Sequence, residues 1–360
     1  MSYSNIVFEY LKLTRKSVVS ELVCLQNEDI KEKYETILNS CIKDNCEIKL
    51  PKLIICETYN KYSQVWPRRI KNQLYEYYIL YDLHLEKVLN TFVKILLSDE
   101  DPAHDVWKLS YELFSEEMII KNNQLLYLYY KLNDIALGDY YISINKTKEM
   151  SLIYDVHSNY VLAHEVGHWL YCISNKGKEE EILNLSDYVE NVMNNSRELL
   201  REVYDIFERK FQDKDYSKLI SEQKRIVCEN DRIIEECFAD AVAYSYVVQF
   251  VNLEYRTVEE RLIAVEALFI LMMSMQILSM SQMTFNDDSF ENSISVRITF
   301  LREYLLQYYE DISHEYFKTI EMLVERFENR ITNIILESFA ELENRGMNIT
   351  DTIPDWQSIL

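Results

Sequence analysis

The chain has 360 residues, 48% apolar and 27% charged, with 28 Tyr, 14 Phe and a formal net charge of −22. That much apolar and aromatic material supports a large core and excludes a chiefly disordered chain. The acidity repels nucleic-acid phosphates and anionic lipid surfaces, so neither nucleic acid nor membrane is expected as a partner.

Four Gly and four Pro, against roughly 25 and 18 at average usage, leave few helix breaks and predict long helices. Residues 1–44 read as one or two helices. The opening "MSYSNIVFEYLKLTRK" lacks signal-peptide character. Seven cysteines at irregular spacings, without C-x-x-C, point to a reducing cytoplasm. "CEIKLPKLIICE", Cys46–Glu57, is β-prone and interrupted at Pro51. "WPRRIK", Trp66–Lys71, is the most basic run and falls short of a nucleic-acid patch. Residues 68–98 are predicted as a helix, with Leu74, Tyr78, Tyr81, Leu85 and Val88 on one stripe. Pro102 suits the start of the next helix. "GDYYISIN", Gly138–Asn145, alternates and predicts a strand.

A helix is predicted from about Asn159 to Tyr171, closed by Gly177. Two polar helices are expected in 180–229. Asp231–Leu253 and Val258–Met283 follow as long apolar helices. The second holds the most apolar run, Leu262–Met280, but Glu266 and Gln276 interrupt it and make it a core helix rather than a membrane span. After "FNDDSFENS", two more helices reach about Asn344, and "DTIPDWQSIL" ends the chain as a loosely held tail.

The chemistry-bearing stretch is "VLAHEVGHWL", residues 161–170. Residues four apart on a helix share a face, so His164 and His168 can aim at one ion. Zinc takes neutral imidazole and favours four ligands. Glu165 lies about 100° further round the helix, beside such an ion, where it can accept a proton from water. This is the H-E-x-x-H arrangement. Two buried histidines without an ion would need two further sets of polar partners.

A third ligand must come from elsewhere. Cys172 is about 12 Å further along the axis from His164, and His157 about 10.5 Å before it. The extension H-x-x-G-x-x-H is missing, since Tyr171 and Ser174 occupy its Gly and His positions. "EECFADAVA", Glu235–Ala243, is the candidate. Glu236 and Asp240 share one face of an otherwise apolar helix, which is costly unless they are paired or bind metal. Glu236 can ligate, and Asp240 can hold the free N–H of a ligating histidine. Glu235 competes for the ligand role but is expected to point to solvent or a neighbouring charge. Gly167, Ala239 and Ala243 are small enough for the two helices to approach closely.

These two segments resemble gluzincin-type metallopeptidases. "HEVGHWL" followed by E-x-x-A-D-x-x-A (Glu236, Ala239, Asp240, Ala243) is similar to the ImmA/IrrE-type, HtpX-type and Lit-type phage-exclusion pattern. The resemblance covers about 20 of the 360 residues. It implies His164, His168 and Glu236 as zinc ligands, Glu165 as general base and acid, and Asp240 as the orienting carboxylate. It also implies an edge strand beside the site, for which Gly138–Asn145 stands in place. Where relatives carry H-P-x-x-x-R, this chain has Asn292 and Ser293, with Arg297 retained. Arg297, His314 or a tyrosine is left as the oxyanion donor.

The expected fold class is mainly α with a small β-sheet (α+β), a zincin-like metallopeptidase core embedded in a helical protein. Residues 1–135 would be a helical N-terminal region, 136–285 the core with a helical insertion at 175–230, and 286–360 a helical C-terminal region. The expected function is a cytoplasmic zinc-dependent endopeptidase acting on a specific intracellular protein or peptide, in stress or phage response. The alternatives are a metal-stabilised or metal-free helical interaction protein without turnover.

Overall fold

The shortage of helix-breaking residues is realised as long helices around one small sheet. The computed structural model describes residues 27–41, 49–69, 75–143, 145–174, 194, 231–254, 257–283, 291–308 and 316–351. In chain order these form α1 (Glu28–Cys41), β1 (Lys52–Cys56), β2 (Gln64–Arg69), β3 (Tyr75–Asp82) and α2 (Leu83–Leu97). Then come α3 (Ala103–Ile120), α4 (Gln124–Leu137), α5 (Thr147–Ser174), α6 (Asp231–Glu254), α7 (Val258–Met283) and α8 (Glu291–Tyr308). The last stretch is α9 (Phe317–Phe327), a π-helical turn (Glu328–Thr332) and α10 (Asn333–Asp351). The protein is thus mainly α with a three-stranded mixed sheet.

The helix predicted over 68–98 begins only at Leu83. Its described first half holds the end of β2 and all of β3, with β3 central in the order β1-β3-β2. β3 pairs parallel with β1 and antiparallel with β2. Residues Tyr78–Tyr81 are all buried, so the strand lacks polar alternation and its apolar spacing imitates a helix. Aromatic β-formers decide the outcome; Trp66 faces Tyr78 across the ladder with rings 5.4 Å apart. Pro67 is accommodated because β2 is an edge strand. Asp82 ends β3 and caps α2, accepting from the His84 backbone N–H at 2.9 Å.

The strand expected at Gly138–Asn145 does not form. Residues 138–143 run as a strap over α3, without a ladder partner among the described residues. Its polar groups are satisfied locally. The Tyr141 N–H donates to Asp105 Oδ1 at 2.8 Å, and the Ser143 carbonyl accepts from the Asp99 N–H at 3.1 Å.

α5 starts at Thr147, twelve residues before the predicted Asn159. The polar run His157–Asn159 reads as a break but bonds within the helix and to its neighbours. Ser158 Oγ and Asn159 Nδ2 both donate to the Asp155 carbonyl. Lys33 of α1 donates to Asp155 and Ser158, both at 3.0 Å. α6 and α7 keep their predicted extents to within a residue. Gly177, the helices expected in 180–229, His314 and the tail beyond Asp351 lie outside the described residues.

The buried apolar side chains form one continuous cluster from Ile30 to Leu342. α7 is long and apolar enough to cross a membrane, yet 67% of its apolar window is buried inside the protein, as in a core helix. α5 runs through the middle, packed against α6, α7, α1, α2 and the β2–β3 side of the sheet.

Candidate metal centre

Two helices bring the polar cluster together. α5 presents His164, Glu165 and His168, and α6 presents Glu235, Glu236 and Asp240. The helices approach closely because Gly167 faces Ala239: a Cβ on Gly167 would lie 2.8 Å from Ala239 Cα. Trp169, Leu162, Val166, Phe238 and Ala243 pack around this contact and are fully or almost fully buried.

His164 Nε2 and His168 Nε2 lie 3.1 Å apart, as the four-residue spacing requires. Glu236 stands across from both, 3.5 Å from His164 Nε2 and 3.7 Å from His168 Nε2. One donor atom from each of the three residues falls within 4.8 Å of the others. Two imidazoles and a carboxylate converging on one point make a donor set that suits zinc. Glu165 is buried beside them, 5% exposed.

The far ring nitrogens are also accounted for. His164 Nδ1 lies 2.9 Å from Asp240 Oδ1, close but off the line of a full hydrogen bond. His168 Nδ1 lies 3.0 Å from Glu235 Oε1. Glu235 therefore turns to the second histidine rather than to solvent, and each histidine has its own carboxylate. An i−1 neighbour of the ligand candidate carries no periodicity signal for this role. The paired carboxylates "EE" were its only trace in the sequence.

Arg297 of α8 closes the cluster. Its Nε and Nη2 each donate to Asp240 at 2.7 Å, one bond to each oxygen, and its Nη1 lies 3.1 Å from Glu236 Oε2. The Tyr160 hydroxyl donates to Asp240 as well. With its guanidinium engaged on two carboxylates, Arg297 is a holding group here rather than a free oxyanion donor.

The electrostatics follow from this geometry. Burial alone would raise the Asp240 pKa, but Arg297 and His164 bring it down to about 2. Glu236 is likewise held well below the usual carboxylate range by Arg297 and the two histidines, against its burial. Burial opposes charge on His164, yet Asp240 and Glu236 outweigh it and lift its pKa to about 9. Burial, then Asp240, push the Tyr160 phenol far above its ordinary range. Without an ion, the two ionised carboxylates are balanced by Arg297 and a protonated His164, and a bound cation would displace the His164 proton.

No known protein family, curated protein or solved structure matches the chain. The functional reading therefore stands on the residues and their geometry.

Proposed function

We propose that the protein is a zinc-dependent endopeptidase of zincin-like design. The observation that carries this reading is the convergence of His164, His168 and Glu236, with a carboxylate behind each histidine. In that reading His164 Nε2, His168 Nε2 and a Glu236 oxygen hold the ion. When bound, zinc supplies a Lewis acid that polarises a peptide carbonyl and makes water more acidic.

The chain's own residues do the rest. Glu165, beside His164, takes the proton from the attacking water and delivers it to the leaving amine. Asp240 and Glu235 fix the tautomer and orientation of the two imidazoles. Arg297 and Tyr160 hold Asp240 in place. β2, an edge of the sheet that packs against α5, takes the place of the 138–143 strap as the strand for an extended substrate. The resemblance of the two motifs to phage-exclusion and stress-response peptidases supports a narrow intracellular protein substrate.

The test is Glu165→Gln. It is expected to keep zinc while losing cleavage, read by metal analysis and by new peptide termini in cells carrying either form. Unchanged proteolysis removes Glu165 from the reaction. Zinc below about 0.1 per chain, after chelator-free purification, removes the metal site itself.

A further inference from the structure

α4 has two faces with opposite chemistry. Leu126, Tyr130 and Asp134, four residues apart, turn inward and are buried. Tyr130 anchors the helix by donating to the Leu342 carbonyl at 2.9 Å and by packing edge-on against Phe114. The outward face carries Leu125, Leu128, Leu132 and Ile135, exposed by 44%, 53%, 63% and 63%. Their 3-4-3 spacing is that of a heptad seam.

This seam bears no charge. The charged residues of α4 are Lys131 and Asp134, which bond to each other at 2.6 Å, and Asp134 also takes Lys108 at 2.6 Å. Other exposed large apolar side chains, such as Leu50, Val258 and Met322, stand apart from this row. Single exposed leucines need no explanation, but four in a row on one helix do.

We propose that α4 is the contact surface of a homodimer, in which a second copy of this chain lays its own α4 antiparallel across the seam. The spacing reads the same from either end, so a twofold axis beside position 130 sets Leu125 opposite the partner's Ile135. The same axis sets Leu128 opposite the partner's Leu132. Such an isologous contact requires a self-complementary patch. Charge sets where two copies could meet. Each copy carries −22, so two copies repel at most approaches, and an uncharged face is where that repulsion is least. The exposed seam offers roughly 400–600 Å² per copy, below the ~800 Å² of a standard stable interface. The dimer is therefore weak and concentration-dependent.

The experiment is sedimentation equilibrium of the full chain from about 1 to 200 µM, a range over which a weak dimer assembles by mass action. The average mass should climb from 43.2 kDa towards twice that value. Leu128→Glu with Leu132→Glu should hold it at the monomer mass, with a thermal midpoint equal to that of the wild type at the dilute end of the range, since both side chains are exposed in the folded chain. Register is read by mixing: an L125C chain and an I135C chain should yield a 125–135 disulfide by peptide mapping, and neither chain alone should link to itself there. A wild type that stays monomeric throughout overturns the proposal and leaves the seam to another segment of this chain or to a different protein. So does association that survives the two glutamates, or an L125C chain that links to itself through position 125.

Discussion

Gly167 and Ala239 meet where α5 crosses α6, and a Cβ on Gly167 would come within 2.8 Å of Ala239 Cα and 3.2 Å of its carbonyl oxygen. The neighbour is backbone, which cannot swing aside. Gly167→Ala gains about 1 kcal/mol of helix propensity, but forcing the helices apart costs about 1–3 kcal/mol. A net loss of up to about 2 kcal/mol is expected in urea unfolding, together with weaker zinc binding, because Glu236 moves away from the two imidazoles. Ala239→Gly should rescue the variant only in part, since the closest clash is with Cα. A Gly167→Ala protein more stable than wild type would sink this account.

Glu235 stands 3.0 Å from His168 Nδ1. Under the proposed metal reading, Glu235→Ala frees the His168 ring to rotate and change tautomer. Zinc affinity should fall about tenfold, the lower end for loss of an orienting carboxylate. Competition titration with a chelating dye measures it. The fold should tolerate the change, because the Glu235 side chain is 30% exposed. Equal affinity in the variant would mean that Glu235 is a bystander.

Arg297 compensates two buried carboxylates at once. Arg297→Leu should cost about 3–5 kcal/mol, because Asp240 is left as an uncompensated buried charge. Adding Asp240→Asn should cost less than the sum of the two single changes, since the charge that suffers is then gone. Arg297→Lys should fall between wild type and leucine, because it retains charge but loses the two-pronged geometry. Chemical denaturation of the four proteins decides it. Additive single effects would show that the Arg297–Asp240 pair is not the coupled unit its 2.7 Å contacts indicate.

The two halves of the candidate site were legible for different reasons. His164, Glu165 and His168 lie within one helical turn, so spacing alone fixes their common face. Glu236 and Asp240 could be assigned because two acids on an apolar helix demand a partner. Glu235 was expected to face solvent or a neighbouring charge, and it takes the second option at His168; which histidine it meets depends on the helix crossing angle, which spacing does not encode. The same limit explains β3: a strand buried on both sides loses the alternation that marks it, so Tyr78, Tyr81, Leu85 and Val88 imitate a helical stripe. "GDYYISIN" has the opposite fault. It alternates as a strand does, but Asp105, Asp99 and Ser98 satisfy its backbone, and no strand among the described residues pairs with it. Long helices α6 and α7 were readable to within a residue because nothing in them breaks the pattern.

His157 gives a pH signature separate from the metal centre. It lies 1% exposed inside α5, with Nε2 bonded to the Ala267 carbonyl at 2.9 Å and Nδ1 without a partner. Burial holds its pKa down at about 4, against an ordinary 6.5, with the Ala267 bond offsetting only part of the effect. The native protein therefore keeps this ring neutral at a pH where the unfolded chain protonates it. Between pH 6.5 and 4 the unfolded state binds the extra proton, so stability falls as the pH falls. At about 1.4 kcal/mol per pKa unit, the loss amounts to roughly 3 kcal/mol across that window and levels off below pH 4. Above pH 6.5 the residue contributes no slope. His157→Gln can keep the donor to Ala267 while removing the titration. The carboxylates of the metal centre titrate in both proteins, so the wild-type-minus-variant difference in urea stability isolates His157. That difference should be flat from pH 8 to 7 and then shift by roughly 3 kcal/mol in the variant's favour by pH 4. Parallel curves over the whole range would show that His157 is not buried as a neutral ring.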